Sequence, residues 1–347
     1  MNGVTITIAL YSMTTGTAAI ENKIALAATL TDTFGRVHDY LRISITDHCD
    51  LRCTYCMPAD KTDFTPAAHL MTAKEIRSIA EAFVDMGVKK IRLTGGEPLV
   101  RTDARKIIQL LGELPVDLAL TTNATRVDEF MDDFRNVGIR SVNVSLDTFD
   151  KEKFMRITRR DHFDRVISNI HLLIQNNFHV KVNAVVMNGV NDDELNRFVA
   201  FTKDYPVAIR FIEFMPFAGN GWSREKMVSQ QQMLEVISKS YKVVKIEDEK
   251  NATSKKFKVP GHAGTFAFIS TMTAPFCGDC NRLRLTADGK IKNCLFSRGE
   301  VDVLTSFRSG QDIIPLIVSS VRAKKKEFGG QQLFAKTENR SMVAIGG

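Results

Sequence analysis

The stretch Leu41-Arg42-Ile43-Ser44-Ile45-Thr46-Asp47-His48-Cys49-Asp50-Leu51-Arg52-Cys53-Thr54-Tyr55-Cys56 joins a structural signal to a chemical one. Residues 41–46 (LRISIT) alternate apolar with polar or charged side chains, as a half-buried strand does, and run straight into a loop with the spacing C-x3-C-x2-C. The strand's rhythm then repeats downstream. Thr72 and Glu75 form a capping box ahead of Ile76, Ile79, Ala80, Phe83 and Val84 at helical spacing, and Gly87 ends that helix. Further strands are predicted over 88–93, 116–121, 141–145, 180–186 and 207–213, with helices over 102–111, 128–137, 163–175 and 192–203.

Six strands alternating with helices predict an α/β fold whose parallel sheet curls into a barrel or a partial (βα)6 TIM-like barrel. Chemistry in such folds sits at the C-terminal ends of the strands. There the sequence places the first cysteines, Gly95-Gly96-Glu97-Pro98, Thr121-Thr122-Asn123 and Ser145-Leu146-Asp147. Beyond Glu213 the rhythm stops. A loop at 219–222, a helix capped by Ser229 and Gln232, and a charged connector over 247–258, expected to be exposed, lead to a second group of cysteines. A lysine run, Lys324 to Lys326, and a terminal Gly346-Gly347 come after them. The organisation expected is an N-terminal extension over 1–34, a barrel over 35–215 and a C-terminal extension over 216–347.

The chain has 347 residues, 44% of them apolar and 25% charged, which excludes a small disulfide scaffold and a disordered chain. No apolar run reaches the roughly 18 residues of a membrane span. Residues 1–20 carry no charge, so they lack the basic region of a secretory signal, and a cytoplasmic protein is expected. The 47 basic residues against 40 acidic ones leave +7, which favours an anionic partner, either a phosphorylated ligand or a nucleic acid.

All six cysteines fall into two triplets: Cys49, Cys53 and Cys56, then Cys277, Cys280 and Cys294 with spacing C-x2-C-x13-C. Clustered cysteines in a reducing compartment more often ligate metal than form disulfides. A closed zinc site takes four ligands, and an electron-transfer cluster usually takes four cysteines. Each triplet is one short. Three thiolates on a four-iron cluster leave one iron open to a substrate or cosubstrate.

The C-x3-C-x2-C loop after a first barrel strand, with Tyr55 before its last cysteine and GGEP after the second strand, resembles the signatures of the radical S-adenosylmethionine (SAM) superfamily. The resemblance implies a 4Fe-4S cluster whose open iron chelates SAM, which is then cleaved reductively to a 5'-deoxyadenosyl radical. Phe276-Cys277-Gly278-Asp279-Cys280-Asn281-Arg282-Leu283-Arg284-Leu285-Thr286, with Gly346-Gly347 at the end, is similar within that superfamily to the GTP 3',8-cyclase family, which opens molybdenum cofactor biosynthesis. This second resemblance implies another 4Fe-4S cluster, on Cys277, Cys280 and Cys294, that binds GTP. GTP contacts then fall on Arg42, Arg92, Thr121, Lys181 and the segment Arg282, Leu283 and Arg284; SAM contacts fall on Tyr55, Gly96, Ser145 and Met215. Catalytic roles fall on Arg282, Arg284, Gly346 and Gly347, with the tail entering the active site. Asp50, His48 and Ala124 depart from the family's usual asparagine, basic residue and glycine.

The activity implied is conversion of GTP to (8S)-3',8-cyclo-7,8-dihydroguanosine 5'-triphosphate. Its implied partners are an electron donor such as a flavodoxin or ferredoxin and the next pathway enzyme, cyclic pyranopterin monophosphate synthase. No nucleic-acid or membrane partner is expected, and a homodimer is compatible with the sequence. Two other functions stay open at this level. One is a radical SAM enzyme with an auxiliary cluster acting on RNA or peptide; the other is a non-enzymatic iron-sulfur carrier or zinc scaffold.

Overall fold

The alternation in LRISIT becomes strand β1 (Tyr40–Ser44), which sends Leu41 and Ile43, both fully buried, into the helix layer and Tyr40, Arg42 and Ser44 to the opposite face. β2 (Lys90–Thr94), β3 (Asp117–Thr122), β4 (Ser141–Ser145), β5 (His179–Val186) and β6 (Ala208–Glu213) succeed it as parallel neighbours. Six parallel strands in chain order are the expected partial barrel. The computed structural model describes residues 30–57, 64–332 and 339–346.

Helices α1 (Ala73–Asp85), α2 (Ala104–Gly112), α3 (Met131–Asn136), α4 (Lys151–Thr158), α5 (Phe163–Gln175) and α6 (Leu195–Asp204) connect these strands. Thr72 and Glu75 form the expected capping box at α1. Two predicted helices, over 128–137 and 192–203, begin instead with a 3-10 turn. Helix α4 lies outside the predicted helices; Asp150 caps it by accepting from Lys153 N at 2.7 Å.

The C-terminal region continues the same sheet on both edges. It supplies α7 (Gln230–Ser240), β7 (Val244–Lys245), β8 (Lys255–Lys258), β9 (Thr265–Ile269), β10 (Arg282–Leu285), β11 (Lys290–Lys292), β12 (Val301–Asp302), α8 (Leu304–Arg308), α9 (Ile314–Arg322) and α10 (Met342–Ile345). Among the described residues twelve strands run in the order β12-β11-β10-β1-β2-β3-β4-β5-β6-β9-β8-β7 and do not close. β10 lies parallel to β1 and β9 parallel to β6. Part of the connector expected to be exposed is therefore strand β8, where Phe257 is buried against the sheet; alternation in a four-residue strand among lysines is too short to read. Arg308 of α8 bonds Glu75 at 2.7 Å and ties this region to the start of α1. Among the described residues no helix is long and apolar enough to cross a membrane.

Candidate functional site

The first cysteine loop leaves β1 at its C-terminal end and is held by backbone. Arg52 N and Thr54 N donate to Thr158 O and Ile157 O of α4 at 2.9 and 3.0 Å, and Cys56 N closes a turn onto Cys53 O at 3.1 Å. Against this loop lie Gly95 and Gly96. Gly96 N donates to Thr46 O at 2.6 Å, and a Cβ on Gly96 would stand 2.3 Å from His48 O. The glycines thus let one loop's backbone rest on the other. Glu97, fully enclosed, accepts from Leu99 N, Thr122 Oγ1 and Asn123 N at 3.0, 2.8 and 2.6 Å, and burial pushes its carboxyl up to about 8.

Asp50 accepts from Asn123 Nδ2 at 2.7 Å and Thr125 Oγ1 at 2.6 Å, so the departure at this position braces the cysteine loop against the turn after β3. Ala124 in that turn adopts φ 63° with a fully buried methyl, a conformation that glycine takes without strain. His48 stacks on Phe64 at 4.4 Å.

A cavity of about 170 Å³ opens between this loop and the sheet, lined by the three cysteines together with Tyr55, Gly96, Thr121, Ser145 and Met342 among others. Tyr55 donates to the Asp147 carboxylate, which burial pushes up to about 6. The hydroxyl of Thr121 and the side-chain carbonyl oxygens of Asn143 and Asn183 are buried without a hydrogen-bond partner among the described residues. Buried polar atoms are nearly always satisfied, and of these three Thr121 and Asn183 line the cavity, where a ligand or water can complete them. Met215 does not line the cavity. It packs with Phe217, Met272, Phe296, Phe328 and Ile345 in a separate apolar cluster.

Below the cavity the barrel interior is cationic. The sheet register puts Arg284, Arg42 and Arg92 side by side on β10, β1 and β2, with Tyr40 opposite Arg282. Arg92 Nε donates to Tyr40 Oη and its guanidinium to Leu120 O, both at 2.6 Å. From the far wall Lys181 of β5 and Arg210 of β6 join them. Burial, then Arg210 and Arg92, lowers the Lys181 ammonium to about 8; burial and Arg92 lower Arg210 to about 10. Burial also lowers Arg284 to about 9, with Arg42 and Arg282 adding to it. Burial resists ionisation of Tyr40, yet Arg92 and Arg42 outweigh it and bring the phenol to about 8. Leu283 is the exception within its segment, since its side chain is fully buried on the opposite face.

The second cysteine loop arrives from the other end. Cys277 and Cys280 sit in a 3-10 turn (Cys277–Asp279 with Cys280 at its end) that precedes β10, and Cys294 comes after β11. Because β10 is parallel to β1, a loop before β10 lies near Tyr40, whereas the first cysteine loop lies beyond Ser44. The five residues of β1 separate them by about 13 Å at the usual strand rise. Burial resists the Cys280 thiolate, but Arg282 and Lys324 outweigh it and bring the thiol down to about 6. Cys49, Cys53 and Cys56 are instead pushed up, by burial first and then by nearby carboxylates, Glu97 at Cys49 and Asp147 at the other two.

The tail enters the barrel. Gly346 has φ 83°, its carbonyl accepts from the Arg284 guanidinium, and a Cβ there would lie 2.7 Å from Thr94 Oγ1 and 2.8 Å from Ser44 Cβ. Gly347 lies outside the described residues. Sequence reasoning missed Arg210, Asn143, Asn183 and Lys324. The first three share the inward parity of Ala208, Ser145 and Lys181 on their strands and were legible by alternation; nothing in the run Lys324 to Lys326 distinguishes its first member.

All six cysteines are free. Among the described residues no three or more His, Cys, Asp or Glu side chains converge on a single-ion site. Each loop offers three free cysteine sulfurs, the donors that iron-sulfur clusters take. Residues 43–202 match the radical SAM superfamily and residues 207–329 the Molybdenum Cofactor Synthesis C family. The chain also shares its fold with Streptococcus suis SuiB, solved bound to S-adenosylmethionine, at a TM-score of 0.65 and 15% identity over 92% of this chain and 75% of that one. A parallel partial barrel with a three-cysteine loop after its first strand is thus that of a radical SAM protein, and its cofactors are SAM and 4Fe-4S clusters.

Within that superfamily the chain belongs to the GTP 3',8-cyclase family. It is 44% identical to GTP 3',8-cyclase, mitochondrial, of Arabidopsis thaliana over 92% of this chain and 83% of that protein, and 40% identical to GTP 3',8-cyclase of Rhodopirellula baltica over 92% of each. Human molybdenum cofactor biosynthesis protein 1 is 43% identical over 94% of this chain. The chain spans about half, 52%, of the length of that relative.

Proposed function

We propose that the protein converts GTP to (8S)-3',8-cyclo-7,8-dihydroguanosine 5'-triphosphate, the first step of molybdenum cofactor biosynthesis. The observation that carries this reading is the crowd of cationic side chains, Arg42, Arg92, Lys181, Arg210, Arg282 and Arg284, inside a barrel with a cysteine triplet at each end. Like charges brought together and buried are costly unless an anion joins them, and guanidinium forks match phosphate oxygens. A triphosphate fits that requirement.

Bound at Cys49, Cys53 and Cys56, a 4Fe-4S cluster would supply the electron that cleaves SAM to methionine and a 5'-deoxyadenosyl radical. Tyr55 held on Asp147, Gly96, Ser145 and Asn183 would orient SAM in the cavity beside that triplet, and Thr121, which lines the same cavity, would meet GTP there; Met215, packed outside the cavity, is left out of the SAM contacts. The arginines and Lys181 would anchor GTP between the loops, its guanine toward Cys277, Cys280 and Cys294, and so present the ribose C3' hydrogen to the cavity. Loss of that hydrogen, bond formation from C3' to C8, and return of one electron and one proton give a product isomeric with GTP. Two electrons enter in all, one for SAM and one for the cyclised ring. Arg284, tied to the Gly346 carbonyl, and the glycine tail would close the site against water.

An acidic one-electron carrier such as a flavodoxin or ferredoxin would supply the electrons, and cyclic pyranopterin monophosphate synthase would take the product. A cytoplasmic homodimer completes the proposal. The test is anaerobic incubation of reconstituted protein with SAM, a reductant and GTP. A product of GTP's own mass that is distinct from GTP, formed with 5'-deoxyadenosine, is expected; 5'-deoxyadenosine with GTP left intact would reject GTP as the substrate.

A further inference from the structure

Lys324 is only 3% exposed, while Lys325 and Lys326 beside it face solvent. Its ammonium has three acceptors: Arg282 O at 2.9 Å, Cys280 Sγ at 3.4 Å and His38 Nδ1 at 3.4 Å. A lysine ammonium has three N–H donors, one for each of these partners. His38 Nδ1 must then be the acceptor, which leaves Nε2–H to donate to Asp32 Oδ2 at 3.2 Å. Burial, reinforced by Lys324, lowers the imidazole to about 4 and keeps it neutral.

Asp32 is itself completed by Arg36 Nε at 2.6 Å and by the backbone N–H groups of Phe34 and Arg36 at 2.9 and 3.0 Å. Arg36 then reaches Cys277 O, Lys326 O and Lys325 O at 2.7, 2.8 and 2.8 Å. Segments far apart in sequence are clamped together, and the centre of the clamp is one cation against one cysteine sulfur. Burying an ammonium is costly, and none of the three acceptors is a carboxylate.

We propose that Lys324 is a positioning residue that raises the reduction potential of the second cluster by holding a charge-assisted hydrogen bond on the Cys280 sulfur. The proposal rests on the reading of Cys277, Cys280 and Cys294 as cluster ligands. Reduction adds one negative charge to the cluster, and a fixed cation at a ligand sulfur favours the more negative state; hydrogen bonds to sulfur and net charge are what set such potentials. The second site thereby differs from the first, whose loop is surrounded by Asp50, Glu97 and Asp147.

The experiment uses the full-length chain with Cys49, Cys53 and Cys56 replaced by alanine, so that only the second cluster contributes an electron paramagnetic resonance signal during redox titration. Lys324→Met and Lys324→Gln are expected to hold the parent's iron and to disfavour reduction at least tenfold, a fall of about 59 mV for one electron. Lys324→Arg is expected to return to within threefold of the parent. Neutral variants with full iron and a potential within that threefold range would overturn the proposal. So would neutral variants that take up no iron while Lys324→Arg does, since Lys324 would then serve assembly. A parent that holds no four-iron cluster would reject the second site itself, an outcome distinct from both.

Discussion

Gly346 stands where two strands leave no room for a side chain. A methyl there would press on Thr94 and Ser44 and force a left-handed φ on alanine, costing roughly 1–2 kcal/mol before any clash is counted. Gly346→Ala is therefore expected to reduce cyclised product at least tenfold while iron content and 5'-deoxyadenosine release without GTP stay unchanged, as read by product mass analysis. Arg210 makes a different demand. With Arg210 on the triphosphate as proposed, Arg210→Ala should weaken GTP binding by roughly 1.5–3 kcal/mol, the worth of one charge-assisted contact, with SAM binding unaffected, measured by calorimetry. Lys181 adds a pH dependence. Its ammonium, lowered to about 8, loses its charge as pH rises through that value, and Tyr40, also near 8, gains a negative one over the same range. GTP affinity should fall between pH 7 and 9, and the double variant Lys181→Arg, Tyr40→Phe should flatten that profile.

The tail works as an element because polar contacts hold both of its ends, Arg284 at the Gly346 carbonyl and, at the start, Asn339 Nδ2 donating to Leu295 O at 2.7 Å together with Arg340. Arg340 bonds Asp288 through two contacts of 3.0 Å and Glu300 at 2.5 Å, just before α10 carries Met342 into the cavity and Val343 and Ile345 into buried positions. Arg340→Ala should release α10 without altering any atom of the barrel and reproduce the Gly346→Ala loss of product; limited proteolysis within 339–346 would detect the release. Burial resists ionisation of Asp288, but the hydrogen bonds from Arg340 and Thr286 outweigh it and hold the carboxyl near 2. A depressed carboxyl stabilises fully above its unfolded value of 3.8 and loses that contribution as pH falls through about 2. The tether should consequently survive mild acid and fail only between about pH 4 and 2.

For the whole molecule, two triplets at opposite ends of one barrel predict about eight iron and eight sulfide per chain after reconstitution. Replacing Cys49, Cys53 and Cys56 should halve that and abolish SAM cleavage. Replacing Cys277, Cys280 and Cys294 should also halve it, yet leave SAM cleavage and remove only the cyclised product. Cyclisation at the parent rate in the second variant would make that site structural. The division comes from the sheet: β1 is the shared strand, with one triplet beyond Ser44 and the other beside Tyr40.

Local signals determined much of this protein. Strand alternation in LRISIT, the capping boxes at Thr72 and Ser229, and the cysteine spacings each depend on residues within one element, so six barrel strands and both triplets were legible in order. Only the tertiary structure decided the rest. That β10 pairs parallel with β1, and so brings the second triplet to the barrel's opposite end, depends on a register between residues some 240 apart, which no local period encodes. Lys324 looks like the solvated lysines next to it until the segment at 32–38 covers it. Gly346 has the composition of a frayed end until Arg284 takes its carbonyl. In each case the deciding free energy lies in a contact between distant segments, and it exists only once the chain has folded.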